Sequence, residues 1–243
     1  MNKIFVFITL FLITFISNCN ISISKNNIGD KIVHYANKFV GTPYDRIPEG
    51  LYVKERKLII DDEIDCMYLV FRTIPLALAD GNNKKAEKIA CNKMFKHKCK
   101  LDKDGLVSNY EDRFDYSEDM IASGKWGKTI FSKNDFSKLK GSRMYEYFNY
   151  VRSEDFVKNR KLQKKVKNGD ILFLYKDPAK RSKANEAIGH LGILEVEQDG
   201  IIYLIHASGH KSMSKPQGKV KKVVLTEYLK EMSKFVGIDI LRI

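Results

Sequence analysis

The chain has 243 residues, of which 44% are apolar, and carries a formal charge of +13. That length suits one domain, or one domain with decorations, and that composition supports a substantial core, which excludes wholesale disorder. The charge would suit nucleic acid, an anionic membrane or a wall polymer, but the lysines are spread out and no zinc-finger or RNP-type signature accompanies them, so nucleic acid is not an expected partner.

Lys3 precedes a 13-residue apolar run, Ile4 to Ile16, broken only by Thr9 and Thr14. A membrane span needs about 20 apolar residues, so this run reads as the core of an export signal over 1–18. It ends in Ile16-Ser17-Asn18-Cys19. That order is similar to a lipoprotein signal in which Cys19 is lipidated and becomes the first mature residue, with 19–28 as a tether. Asn18 departs from the usual small residue there, and an ordinary signal cleaved nearby is the alternative.

Residues 29–41 predict a helix, with Asp30 as cap, an apolar stripe of Ile32, Val33, Ala36, Phe39 and Val40, and Gly41 as its end. Thr42-Pro43-Tyr44 turns the chain. A second helix is predicted over 66–80 with Cys66 at its start, kinked or split by Pro75. The Lys-rich segment 82–105 predicts a helix near 84–96 and a turn at Asp104-Gly105. Residues 106–135 take no firm assignment. Residues 136–165 read as helical in two pieces, with Tyr145, Phe148 and Val151 as buried points.

After Asn168-Gly169-Asp170 the pattern changes to strands at 171–175, 188–196, 201–208 and 219–225, then a helix capped by Thr226 through about Lys234, and a closing strand 237–243. Helices first and strands later predict an α+β fold, with N-terminal helices packed on a C-terminal antiparallel sheet.

The chemistry concentrates in one thiol and two imidazoles. After the leader, Cys66, Cys91 and Cys99 remain. Cys91 and Cys99 are either a disulfide of an oxidising compartment or two free thiols. Cys66 is then unpaired and flagged as reactive. At a helix start the backbone N–H groups and the dipole favour its thiolate and would hold an oxyanion. His190 would exchange the thiol proton, and His206 would hold the His190 ring in one tautomer.

That scheme depends on hairpin register. A two-residue Asp199-Gly200 turn would put the histidines on opposite faces. A three-residue Gln198-Asp199-Gly200 loop, with Gly200 left-handed, sets 206 across from Gly192 and 190 across from Ser208, so both imidazoles share one face. The three-residue loop is the expectation.

At these residues the chain resembles the NlpC-like, papain-like cell-wall peptidases. The matching elements are Gly41-Thr42-Pro43-Tyr44, Asp65-Cys66, Gly169-Asp170, Gly189 to Ile193, and His206. It is more similar still to the N-acetylmuramoyl-L-alanine amidase branch that acts on anhydro-muropeptides, through the insertion from Glu55 to Glu63, the Tyr110, Arg113 and Tyr116 element, His206-Ala207-Ser208, and the segments Leu225 to Leu229 and Gly237 to Arg242. The resemblance implies a papain-like fold over 29–243, with a Lys-rich insertion around 82–105. It implies a Cys66-His190-His206 triad that hydrolyses the bond between muramic acid and L-Ala in peptidoglycan fragments. Tyr44, Arg113, Tyr116 and Ser208 are the candidates for substrate contact.

Tyr68, Phe71 and Arg72 depart from the branch's pattern after Asp-Cys, and Asp115 stands where it carries His. The alternatives are a γ-D-glutamyl-diamino-acid endopeptidase with the same triad, or a non-catalytic wall- or host-binding lipoprotein in which Tyr68 and Arg72 fill the cleft. Cys-before-His order argues against the permuted lipid-acyltransferase relatives. No metal or cofactor is expected, because the clustered His and Glu spacing of zinc peptidases is missing. The protein is expected in the periplasm or cell envelope, bound to a membrane through its lipid. Metabolic lipid labelling should mark the wild type and leave Cys19→Ala unmarked; an unlabelled wild type would refute the lipoprotein reading.

Overall fold

The computed structural model describes residues 27–141, 145–181 and 186–243. The expected signal, Cys19 and all but the end of the expected tether lie outside these residues.

The first half is helical: α1 (Ile28–Lys38), α2 (Leu51–Lys54), α3 (Cys66–Leu78), α4 (Asn83–Lys93) and α5 (Ser117–Ser123). Strands β1 (Lys128–Thr129), β2 (Ser137–Lys140) and β3 (Tyr147–Arg152) follow, then α6 (Ser153–Lys158) and α7 (Arg160–Gln163). The remainder is β4 (Ile171–Lys176), β5 (Ile188–Val196), β6 (Ile202–Ser208), β7 (Lys219–Val224), α8 (Leu225–Glu231) and β8 (Phe235–Arg242). Among the described residues the strands form one antiparallel sheet in the order β2-β3-β8-β4-β5-β6-β7, with β1 also on β8. The α+β class and the antiparallel sheet are as the sequence predicts.

Alternation along the central strands divides the core. Ile171, Phe173, Tyr175, Leu191, Ile193, Ile205 and Ala207 pack with α1 and α3. Leu172, Leu174, Leu194, Leu204, Ile238 and Ile240 pack with Phe156 of α6 and with Leu225, Tyr228 and Leu229 of α8. The central strands are therefore covered on both faces, while β2, β3 and β7 each leave one face exposed.

Several local expectations are corrected. Asn27, not Asp30, caps α1, its side chain accepting from the Gly29 amide. Asp30 instead accepts from Asn168 at 2.8 Å, tying α1 to the turn before β4. Pro75 does not split α3, which continues to Leu78. Proline removes one N–H from the helix, but Phe71, Ile74, Leu76 and Ala77 are all buried around it, so packing holds the helix through that gap. Residues 137–140 and 147–152 are strands that pair antiparallel rather than helix: Phe148 and Tyr150 face inward while Tyr147 and Asn149 face out. Thr226 lies inside α8, whose N-cap Val224 offers no side-chain bond.

Cys91 and Cys99 are joined in a disulfide, leaving Cys66 free. The Lys-rich segment packs inward through Ala86, Ala90, Met94, Phe95 and Cys99.

Behind the site, the Gly169-Asp170 turn acts as a pin. Gly169 is left-handed (φ 79°), and a Cβ there would lie 2.6 Å from Gly29 Cα. The wholly buried carboxylate of Asp170 accepts from the Lys167 amide at 2.8 Å and from Arg242 Nε and Nη2 at 2.7 Å each. Removing the cation leaves a buried charge without its partner, which costs more than the pair contributes net. Arg242→Met should therefore lower stability in urea unfolding by about 3 kcal/mol, and adding Asp170→Asn should recover part of that loss.

Candidate active site

The β5–β6 hairpin sets the site. Ile193 pairs with Ile205, Leu194 with Leu204, Glu195 with Tyr203 and Val196 with Ile202. Glu197 N–H bonds the Ile201 carbonyl at 3.0 Å, which closes a loop of Gln198, Asp199 and left-handed Gly200 (φ 79°). This is the predicted three-residue loop. Continued along the strands, the register brings His206 opposite Gly192 and Ser208 opposite His190. His190 Nε2 and His206 Nδ1 lie 2.8 Å apart, so one ring donates to the other. Glycine is required between them: a Cβ at Gly192 would lie 2.6 Å from the Ile205 carbonyl oxygen and 3.1 Å from His206 Cβ.

Both rings are on the α8 side of the sheet. Tyr228 stands edge-on to His206, with centroids 4.9 Å apart, and Phe235 stacks on His190 at 6.3 Å. Burial lowers His206 to about 4, helped by Lys221. Burial also lowers His190 well below the usual imidazole value, helped by His206 and Lys234.

Cys66 approaches from the other layer, as the first residue of α3. Asp65 caps that helix, accepting from the Tyr68 amide at 2.7 Å. The thiol is directed at the backbone N–H of Leu191, the peptide group that follows His190. It also lies within the electrostatic reach of Tyr44 and Tyr228, whose phenols burial pushes up first and the thiol second. Thiol and imidazoles thus converge at one end of the sheet. No hydrogen bond joins the thiol to either imidazole among the described residues, and the His190 nitrogen free of His206 is Nδ1.

The expected thiolate is corrected. Burial pushes the Cys66 thiol up to about 12 and Asp65 adds to this, while Lys211 and the Leu191 and Cys66 amides pull it down. Desolvation outweighs the helix start. The resting site therefore holds a neutral thiol beside neutral imidazoles, which suits proton removal during attack better than a preformed ion pair.

The other candidate residues separate. Tyr44 is buried beside the thiol, and Ser208 is half-buried, two residues beyond His206. Arg113 pairs with Asp115 at 2.7 Å and donates to the Tyr110 carbonyl at 3.2 Å. It also bonds the Tyr52 side chain, which is sensitive to Asp65. Arg113 thus reaches the site only through Tyr52, and its charge is already met by Asp115. Tyr116 precedes α5 in extended backbone and is half-buried. Tyr68 and Arg72 do not fill the cleft. Both are buried; the Tyr68 hydroxyl accepts from Ile60 N–H and donates to Asp61, while Arg72 holds Asp61 at 2.9 Å and Asn83 at 2.8 Å.

No protein-family model matches the chain, and no curated protein matches it. Solved structures do. An N-acetylmuramoyl-L-alanine amidase from Bacteroides uniformis superposes with a TM-score of 0.62 at 20% identity, over 88% of this chain and 98% of that one. A Legionella pneumophila protein of family DUF1460 gives 0.64 at 18%, over 88% of each chain. A Bacteroides fragilis protein with a provisional xylanase name gives 0.61 at 22%, over 87% of this chain and all of that one. What is shared is the fold. At such identity it does not carry an activity across, and the differing names of these neighbours make the same point.

Three residues of this site escaped the sequence reading. Tyr228 lies in the quoted segment Leu225 to Leu229, and its helical spacing with Leu225 and Leu229 already directed it at the sheet. Asp45 is 1% exposed and accepts from the Ile47 and Leu51 amides. Lys211 carried no signal, being one basic residue among 43.

The depressed imidazoles make a pH prediction with a definite sign. An unfolded histidine takes up its proton near pH 6.5, whereas folded His206 does so only near 4. The unfolded state then binds more protons at this site between those values, so the contribution of His206 to stability falls as pH drops from about 6.5 to about 4. Burial raises Asp239 to about 6, which acts with the opposite sign, so the readout is a difference between proteins: from pH 7 to pH 4.5 in urea unfolding, the wild type should lose more, or gain less, stability than His206→Asn. An equal change in both proteins would contradict a buried neutral His206.

Proposed function

We propose that this protein is a papain-like cysteine amidase that cleaves the N-acetylmuramoyl-L-alanine bond of peptidoglycan fragments. The observation that carries the reading is the 2.8 Å pairing of His190 Nε2 with His206 Nδ1 on the strand whose next amide addresses the Cys66 thiol.

In this scheme Cys66 Sγ attacks the lactyl carbonyl carbon while Nδ1 of His190 takes the thiol proton. The carbonyl oxygen becomes an oxyanion beside the free N–H groups at the head of α3. Collapse breaks the C–N bond, and His190 returns the proton to the departing amine of L-Ala. A thioester remains. Water attacks it with His190 again as base, which restores the thiol and releases the lactyl carboxylate. His206 keeps the His190 ring oriented throughout. Apo contacts between nucleophile and base are often long and tighten with substrate, which accommodates the unbonded thiol of the resting site.

The substrate class rests on the motif resemblance together with the fold shared with the Bacteroides uniformis amidase. Tyr44 and Ser208 flank the scissile bond in this reading, with Arg113 and Tyr116 further out. Glycosidase chemistry is less well supported. It needs two free carboxyl groups across the bond, whereas Asp45 and Asp65 both bond backbone amides and share Lys211. The export-type leader and the Cys91–Cys99 disulfide both favour work outside the cytosol, with Cys19 as the lipid attachment point.

Purified wild type should release free L-Ala peptide from defined muropeptides, read by mass spectrometry, and Cys66→Ala should lose this by at least a thousandfold, on the order seen when a nucleophile is removed. A cut inside the peptide stem would make the protein an endopeptidase. Intact but bound substrate would make it a binding module.

A further inference from the structure

The loop after β6, residues 209–218, packs against Tyr44, the phenol beside the thiol. Its backbone is seated on Tyr44: the Tyr44 amide donates to the Gly218 carbonyl at 2.8 Å, and a Cβ at Gly209 would lie 2.3 Å from the Tyr44 ring. Only glycine lets the loop approach that closely. At the loop's tip Lys211 turns inward. Its Nζ lies 2.8 Å from Asp65 Oδ2 and 3.1 Å from Asp45 Oδ2, and 5.7 Å from the centroid of the Tyr44 ring.

Each partner already has another task. Asp65 caps α3 through its other oxygen, and Asp45 holds the Ile47 and Leu51 amides. Two buried carboxylates are thereby placed next to the nucleophile, and buried anions need a compensating charge. The titratable groups whose fields couple to Cys66 are Asp65 on its own chain segment, Tyr44 from the turn after α1, Tyr228 from α8 and Lys211 from the loop, with His190 and His206 on the adjoining strands and Asp45 on the far side of Lys211. Burial holds both imidazoles neutral. Lys211 supplies the cationic side chain whose field reaches the thiol.

We propose that Lys211 is a positioning residue for the nucleophile: its ammonium, locked between Asp45 and Asp65, offsets the carboxylates beside Cys66 and fixes the 209–218 loop over Tyr44. The proposal rests on Cys66 being the nucleophile. Ionisation of the thiol, whenever attack demands it, is then easier by the field of one neighbouring cation, and the loop that bounds the cleft is fastened to the cap of the nucleophile's own helix.

Electrostatic and purely structural roles predict different signs. Lys211→Gln and Asp65→Asn break the same ion pair, and asparagine caps a helix as well as aspartate does. If the pair acts through charge, the two variants shift the thiol in opposite directions. The rate of Cys66 alkylation by iodoacetamide at pH 8 in the full-length protein reads the thiolate fraction directly. Lys211→Gln should slow it roughly tenfold; Asp65→Asn should speed it; Lys211→Arg should stay near the wild type. Rates that change the same way in the Gln and Asn variants, or a Gln variant with the wild-type rate, overturn the proposal. Muropeptide cleavage is scored separately on the same proteins. An inactive wild type with the expected alkylation shifts would therefore refute the amidase reading and leave the role of Lys211 standing.

Discussion

The pairing of Ile193 with Ile205 is the constraint on which the rest depends. Side chains alternate across a strand with a period of two, so a slip of one residue would send His206 to the α1/α3 face and leave His190 behind. The loop of three residues with left-handed Gly200 prevents this, and Gly192 leaves the gap that lets two rings meet at 2.8 Å. The same register puts the Leu191 side chain on the α1/α3 face and the His190 ring on the α8 face, and the amide between them lies in the plane of the sheet, where it addresses the thiol at the head of α3. One strand thereby serves both layers.

That arrangement explains the electrostatics of the thiol. A helix N-terminus favours an anion by a few tenths of a kcal/mol to about 1 kcal/mol when exposed. Partial burial of Cys66 removes much of the water that would otherwise solvate a thiolate, and desolvation can shift a group by several units. The larger effect wins, and the thiol rests protonated. The imidazoles move the other way for the same reason, since burial disfavours whichever form is charged. A neutral thiol and neutral rings cost little to desolvate.

The sheet and the order Cys66, His190, His206 were legible because they rest on local signals: runs of strand length, a turn tripeptide, and a capping residue before an apolar helix. The strand pair of 137–140 with 147–152 was not, since Tyr145, Phe148 and Val151 are spaced by three and mimic a helical stripe, and the strand alternation of Phe148 and Tyr150 carries the structure instead. The cap of α1 was misread because Asn27 and Asp30 are both good caps, and only the tertiary bond from Asn168 withdraws Asp30 from that role. Lys211 was invisible for a different reason: a basic residue in a basic chain gains meaning only from Asp45 and Asp65, which are distant in sequence.

The residues that follow Asp65-Cys66 on α3 are held by contacts away from the thiol. Tyr68 and Arg72 are one turn apart on α3 and both turn toward Asp61. The side chains therefore belong to a unit with the insertion from Glu55 to Glu63, whose end they fasten to the helix, and Arg72 extends the link to Asn83 at the start of α4. Tyr52 stacks on Tyr68 with centroids 4.9 Å apart and meets Arg113 on its other side. Asp115 then completes the chain by pairing Arg113. One connected set of contacts thus contains the residues at 68 and 72 and the aspartate at 115. It ties the segment before Asp65 to α3 and α4.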